Sequence, residues 1–210
     1  MATTKTIELI KIEPKTTTVI IEGISDLVLN RMDNPTRRSL MDERRDKGKS
    51  LEKPDKWEQI ITSIHWLNEP TEYSEEKMIE LLNDPNNAPC ITSTGMKKAM
   101  GDAVVRNAID KAKTKFAATV NVLATKGFKI PITFAEHSIN EMLMSPQRGK
   151  PILARLNTFS GWSAKITFSY LENVYSEDQI VNILNLAGFG IGIGSSRNSG
   201  FGRFRVADIL

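Results

Sequence analysis

The sequence predicts an α+β fold with helices packed on one face of an antiparallel sheet. Three observations predict it. Strand-type runs follow one another between residues 119 and 170, and runs of strands with a few helices suggest this architecture. A few well-signalled helices stand apart from those strands. The chain ends in a unit of strand, helix, glycine-rich loop and strand. With 210 residues and 40% hydrophobic content, there is enough apolar material for one sizeable core. We therefore read residues 1–210 as a single domain carrying an insertion.

Taken in order, residues 6–12 and 17–22 read as strands, the second rich in β-branched residues, with Pro14 and Lys15 between them suiting a hairpin. Residues 26–32 read as a short helix. About 14 of the 22 residues from 37 to 58 are charged, with signs mixed, so this stretch cannot bury itself. It predicts a mobile loop or exposed helix, an insertion spanning about 35–58. Trp57, Ile60, Ile61, Ile64 and Leu67 then recur at helical spacing. Ser74 before Glu75 and Glu76 starts a helix that ends near Leu82, and residues 83–87 form a turn cluster. Met96, Ala99, Met100, Ala103 and Val104 mark the buried face of a long helix. Strands follow near residues 119–123, 129–133, 151–156 and 163–170. Ser176 with Gln179 makes a capping box for the last helix, whose stripe is Ile180, Ile183, Leu184 and Ala187. Gly188 sits where a left-handed helix terminus belongs, and residues 203–209 form a final strand.

Charge and cysteine content narrow the function classes. The net charge of +3 permits a polyanionic partner without requiring one. The lone cysteine, Cys90, makes no internal disulfide, which excludes a disulfide-stapled secreted scaffold. No leader-like apolar segment and no run of roughly 18 apolar residues is present. The expectation is a cytoplasmic protein with no membrane partner.

The informative stretch runs from Gly188 to Arg205. Six of the fifteen residues from Gly188 to Gly202 are glycine, against a usual frequency of about 7%. Exposed amides in such loops make concave anion sites, and Arg197, Arg203 and Arg205 add planar forks suited to phosphate. Phe201 and Phe204 offer stacking faces to unpaired bases. The expected nucleic-acid contacts here are Gly190, Gly192, Gly194, Ser195, Ser196, Arg197, Gly200, Phe201, Gly202, Arg203 and Arg205. The loop follows a helix and lacks both the third glycine of a dinucleotide fingerprint and the Gly-Lys-Ser/Thr ending of a P-loop. The alternative reading of the glycines is architectural: they let strand and helix pack closely.

A second basic region runs from Gly95 to Lys129. It carries eight Lys or Arg against Asp102 and Asp110, a balance of about +6. Lys97, Lys98, Arg106, Lys111 and Lys115 are its candidate contacts. Extended as one helix, it places Lys97, Lys111 and Lys115 near one azimuth. The competing reading is a solvated lysine face.

The block from Ala88 to Met100, Ala-Pro-Cys-Ile-Thr-Ser-Thr-Gly-Met-Lys-Lys-Ala-Met, resembles the I-P-G-S-S-L-K-G-A-L-R block of the RAMP superfamily of CRISPR effector proteins, particularly their repeated backbone subunit. The loop from Gly190 to Phe204 resembles that superfamily's glycine-rich signature. The turn after the strand at Ile21 is similar to the one after its first strand. The C-terminal block is also similar to bacteriophage proteins ending in G-I-G-x-x-R and G-x-x-G-R-F. This chain has Pro-Cys-Ile-Thr where the superfamily has Ile-Pro-Gly, so Lys97 and Lys98 are the residues carried over. The resemblance implies an RRM-like or ferredoxin-like sheet, RNA binding, and self-assembly along the strand.

Catalysis has thin support in the sequence. His65 lies in an apolar helical stretch and reads as packed. His137, on an expected loop, is the weak candidate for acid–base chemistry, since histidine titrates near neutrality. One cysteine and two dispersed histidines form no zinc site, and no metal or cofactor is expected. Three readings follow. The first is a non-enzymatic RNA or single-stranded DNA binder that forms homo-oligomers or joins a nucleoprotein complex. The second is a binder of small phosphate-bearing nucleotides in phage–host conflict. The third is a RAMP-type endoribonuclease.

Overall fold

A computed structural model describes residues 13–43, 55–144 and 152–210. The expected strand at residues 6–12, and with it the hairpin, lies outside the described residues, as does the middle of the charged insertion.

The first described strand, β1 (Lys15–Gly23), buries Val19 and Ile21 on one face, as its alternation requires. Residues 27–29 form a strand, β2 (Leu27–Leu29), and not the expected helix. All three are buried, and a surface helix would bury only one side of such a run. The two described ends of the charged insertion are helical, α1 (Asn34–Glu43) and α2 (Lys56–Thr62). Arg38 joins them through both carboxylate oxygens of Glu58, at 2.7 Å each. The apolar spacing after Trp57 predicts a longer helix than α2. The helix stops because Thr62 and Ser63 turn their hydroxyls back onto the carbonyls of Glu58 and Ile60. His65 therefore lies in a short strand, β3 (His65–Trp66).

Ser74 caps α3 (Glu75–Asn83) as expected. Next come β4 (Pro89–Thr92) and α4 (Ser93–Arg106), whose buried face includes Met96, Ala99, Met100, Ala103 and Val104. The chain continues through α5 (Lys113–Thr119), β5 (Val120–Leu123) and β6 (Lys129–Thr133). His137 is placed on a strand, β7 (Glu136–Met144), and not on a loop; it pairs residue for residue with β8 (Ile152–Ser160). Its sequence carries little strand preference, and the long pairing with β8 overrides that. Then follow β9 (Ser163–Tyr170), α6 (Glu177–Gly190) and β10 (Phe204–Ile209). The capping box at Ser176 is present. Gly188 is a buried helical residue and not the terminus. It is glycine because an added Cβ would stand 2.0 Å from the carbonyl oxygen of Phe204. The left-handed residue is Gly192, with φ of 74°, whose N–H reaches back to Ala187 O at 2.8 Å.

The order β10-β1-β9-β5, all antiparallel, with α4 between β1 and β5 and α6 between β9 and β10, is the ferredoxin-like βαββαβ arrangement. The expected α+β fold is therefore present. Two insertions elaborate it. Residues 24–92 extend the sheet through β4 and β3, whereas β7 and β8 pair with β2 in a second, three-stranded sheet. Buried side chains from α2, α4, α6 and the main sheet form one apolar cluster. Among the described residues, no helix is long and apolar enough to cross a membrane.

Glycine requirements differ sharply along the C-terminal loop. Gly202 has φ of 69° and would put a Cβ 1.9 Å from Ile193 O, whereas Gly190 would meet nothing within 4 Å. Gly202→Ala is expected to cost roughly 2 kcal/mol or more, from overpacking and left-handed strain. Gly190→Ala is expected to be neutral or to stabilise by up to about 1 kcal/mol. Urea unfolding of the two variants measures both.

Candidate nucleic-acid interface

The C-terminal loop is sewn to the start of the first insertion by its own main chain. Gly202 N donates to Asp26 O at 2.8 Å, Ile193 N to Gly202 O at 2.9 Å, and Ser195 N to Val28 O at 2.8 Å. Ser25 Oγ accepts from Arg203 N and donates to Gly200 O. The expectation that the whole run of amides faces outward is thus corrected. Those of residues 191–193, 195, 199, 200, 202 and 203 are spent inside the fold. Among the described residues, the amides of Gly194, Ser196, Arg197 and Asn198 find no partner. Gly194 and Ser196 both have positive φ, at 76° and 54°, the backbone signature of a loop that leaves successive amides unpaired.

Two of these four residues, Gly194 and Arg197, line a cleft of about 200 Å³. Its walls include Gly194, Ser195 and Arg197 from the loop, Asn30 and Arg31 after β2, and His65 from β3. Cys90 to Thr92, Gly95, Met96 and Lys98, from the end of β4 and the start of α4, complete the lining. The two sequence blocks at 88–100 and 190–205 therefore meet, although some hundred residues separate them. The first turn of α4 also brings the positive end of its helix dipole to the cleft.

The cleft's charges are not equivalent. Arg31 is neutralised by Glu69 through two contacts, at 3.1 and 2.6 Å, and Lys129 also reaches Glu69 at 2.7 Å. Burial works to raise the Glu69 carboxyl, but these two cations outweigh it and hold it below the usual carboxylate range. Lys98 is exposed, and neither it nor the Arg197 guanidinium makes an ion pair among the described residues. Burial, with the Arg31 charge beside it, lowers His65 to about 4, so its ring is neutral at physiological pH. Burial pushes the Cys90 thiol up to about 12, which keeps it protonated and a poor nucleophile.

The other sequence candidates lie elsewhere. Lys97 turns to Asn121 Oδ1, at 2.9 Å. Arg106 ends α4, about 12 Å along the axis from Lys98 at 1.5 Å per residue. The shared azimuth of Lys97, Lys111 and Lys115 fails, because α4 stops at Arg106 and Lys115 belongs to α5, with its ammonium over the Tyr175 ring. Gly190, Gly192, Ser196, Gly200, Phe201 and Gly202 do not line the cleft. Arg203 donates weakly to Arg197 O at 3.4 Å, and Arg205, on the edge strand β10, pairs with Glu22 of β1. Phe204 is 1% exposed and packs on Trp162, so it offers no face for stacking. His137 is held by Asn157 Oδ1 at 2.9 Å and packs on Phe159, outside the cleft. Asn157 in turn donates to Ile60 O and Ser63 Oγ, a buried network that ties the second sheet to α2. Arg31 and Asn30 carry no local signal of a site; only long-range pairing brings them here.

No protein-family model matches the sequence, and no curated protein is similar to it. Solved structures do resemble it. One is a chain of the Type III-B Cmr-beta complex bound to cognate target RNA, at 13% identity and a TM-score of 0.49 over 93% of this chain. This chain spans 59% of that one. Another is Cmr6 from Pyrococcus furiosus, at 12% identity and a TM-score of 0.45, covering 93% of this chain and all of that one.

The His65 shift has a stability consequence. Its folded value, about 4, lies below the ordinary histidine value of 6.5. The neutral form is therefore favoured by folding, and the contribution is complete above pH 6.5 and lost as pH falls from 6.5 towards 4. A His65→Gln variant is expected to lose less unfolding free energy than the parent between pH 7 and pH 4, as read by urea titration at each pH.

Proposed function

We propose that this chain binds single-stranded nucleic acid, RNA or DNA, without processing it, as a RAMP-like subunit that self-assembles along the strand. The observation that supports this most is the convergence of the two sequence blocks on one cleft. There, among the described residues, Lys98 and Arg197 stand without counter-charges beside the unpaired amides of Gly194 and Arg197. Uncompensated cations with free N–H donors favour phosphodiester oxygens, and phosphate contacts release condensed counterions. The superfamily resemblance adds assembly into a nucleoprotein complex in a cytoplasm, that of a bacterial host if the chain is phage-encoded. The place of His137, engaged with Asn157 away from the cleft, gives no support to RNA cleavage.

A second reading, capture of a small phosphate-bearing nucleotide, is favoured by one observation: the cleft's volume of about 200 Å³ is nearer to one nucleotide than to a strand. Calorimetry with mononucleotides, cyclic dinucleotides and a 30-mer separates the two. Strand binding gives a steep salt dependence and an affinity that grows with length.

For the first reading, Lys98→Ala and Arg197→Ala are each expected to weaken 30-mer binding regardless of sequence. Each should flatten the slope of log K against log salt by about 0.7 per lost phosphate contact. Lys111→Ala, placed off the cleft, should leave the slope unchanged. An unaltered slope in the Lys98/Arg197 double variant overturns the assignment.

A further inference from the structure

Among the described residues, only two phenylalanines leave large exposed rings, Phe189 at 82% and Phe128 at 42%. Phe128 is the one beside the cleft. Its carbonyl accepts the Ser93 N–H at 2.8 Å, next to Thr92 of the cleft wall. Its ring meets that of His65, also of the cleft wall, at 5.2 Å and 86°. The position is fixed. Phe128 sits in a tight turn closed by Lys126 and Lys129 in both directions, with Gly127 at φ of 60°.

The His65 ring has a defined proton arrangement. Arg31 Nη1 lies 3.1 Å from His65 Nδ1, and a guanidinium only donates. Nδ1 is therefore the acceptor, and the neutral ring carries its hydrogen on Nε2. That N–H has no partner among the described residues. The edge of the cleft thus combines an apolar ring left in water beside the wall, a neutral imidazole of the wall at right angles to it, and an unused donor.

We propose that Phe128, braced by His65, is a stacking platform for one unpaired base of the strand held by Lys98 and Arg197, with His65 Nε2–H as a donor to that base. This rests on the nucleic-acid reading above and assigns its strand selectivity. Bases in a duplex already have both faces covered, so only a single strand can offer one to the ring. Stacking on an aromatic side chain tolerates any base, because each has a π-face.

The test uses the full chain with a fluorescently labelled 30-mer and its duplex. Phe128→Leu keeps an apolar side chain of similar bulk, so it preserves the fold while removing the ring; Phe128→Trp restores a ring. The expected result is a roughly five- to 100-fold loss of single-strand affinity in Phe128→Leu. The salt slope should stay unchanged, Phe128→Trp should recover the affinity, and duplex binding should be unaffected. Parental affinity in Phe128→Leu, with the steep salt slope intact, overturns the platform and leaves the strand-binding reading standing. An equal loss on duplex and single strand also overturns it. A parent protein that binds no 30-mer overturns the underlying reading itself.

Discussion

The arrangement of the cleft depends on main-chain contact between the C-terminal loop and residues 24–30. Gly194 and Gly202 make that contact possible. Each has positive φ, and an added Cβ would lie 2.5 Å from Val28 O at the first and 1.9 Å from Ile193 O at the second. With those two backbones in contact, the loop serves as a partner for β2 and Ser195 forms a bridge to Val28. That contact takes the amides of Ser195, Gly202 and Arg203, and bonds within the loop and back to α6 take those of residues 191–193, 199 and 200. A loop of similar composition without these contacts would present more amides but would hold none of them in a fixed place. Binding without that preorganisation pays the ordering entropy of the loop.

Electrostatics then sharpens a site that composition only sketches. Of the cations near the cleft, Arg31 and Lys129 share Glu69, and such pairs add little outward potential. His65 is neutral because burial and Arg31 both disfavour its charge. What remains is Lys98 on the first turns of α4 and Arg197 on the loop, facing one cavity from opposite sides of the chain's topology. A balance of about +6 over residues 95–129 says less than these two side chains, because most of that charge is strung along α4 and α5 away from the cleft.

Much of the fold was legible because its signals are local. The capping box at Ser176, the helical stripe of Met96 to Val104, and the β-branched run at residues 17–22 all declare themselves within one or two turns of chain. The misreadings share a cause, which is information held elsewhere in the sequence. Leu27 to Leu29 became a strand because β8 lies alongside, Leu27 opposite Phe159 and Leu29 opposite Asn157. Glu136 to Met144 became a strand for the same reason. Gly188 looked like a helix end, but its small size is needed for Phe204 O inside the packed helix. The site shows the same division. Lys98 and Arg197 stood in recognisable blocks, whereas Arg31, His65 and Phe128 join them only through the strand pairing of the insertions.

The position of the cleft also follows from the ferredoxin-like core. In that arrangement α4 and α6 lie side by side on one face of the sheet, each following a strand and leading to another. α4 begins at the end of β4, and α6 finishes beside β10. Here the start of α4 presents an excess of positive partial charge to the cleft. The end of α6 carries the opposite excess, but the N–H groups of Ile191 and Gly192 both return to Ala187 O and begin to close that end within the protein. The loop then carries the chain away to Arg197 before it rejoins the sheet at Phe204. The start of α4 is itself partly closed, because Thr92 Oγ1 accepts from Gly95 N and Phe128 O accepts from Ser93 N, so what it offers the cleft is its dipole and not a row of free donors. The insertions add the remaining walls, Asn30, Arg31, His65 and the end of β4, so the cleft is built from what is grafted onto one end of a widely used core.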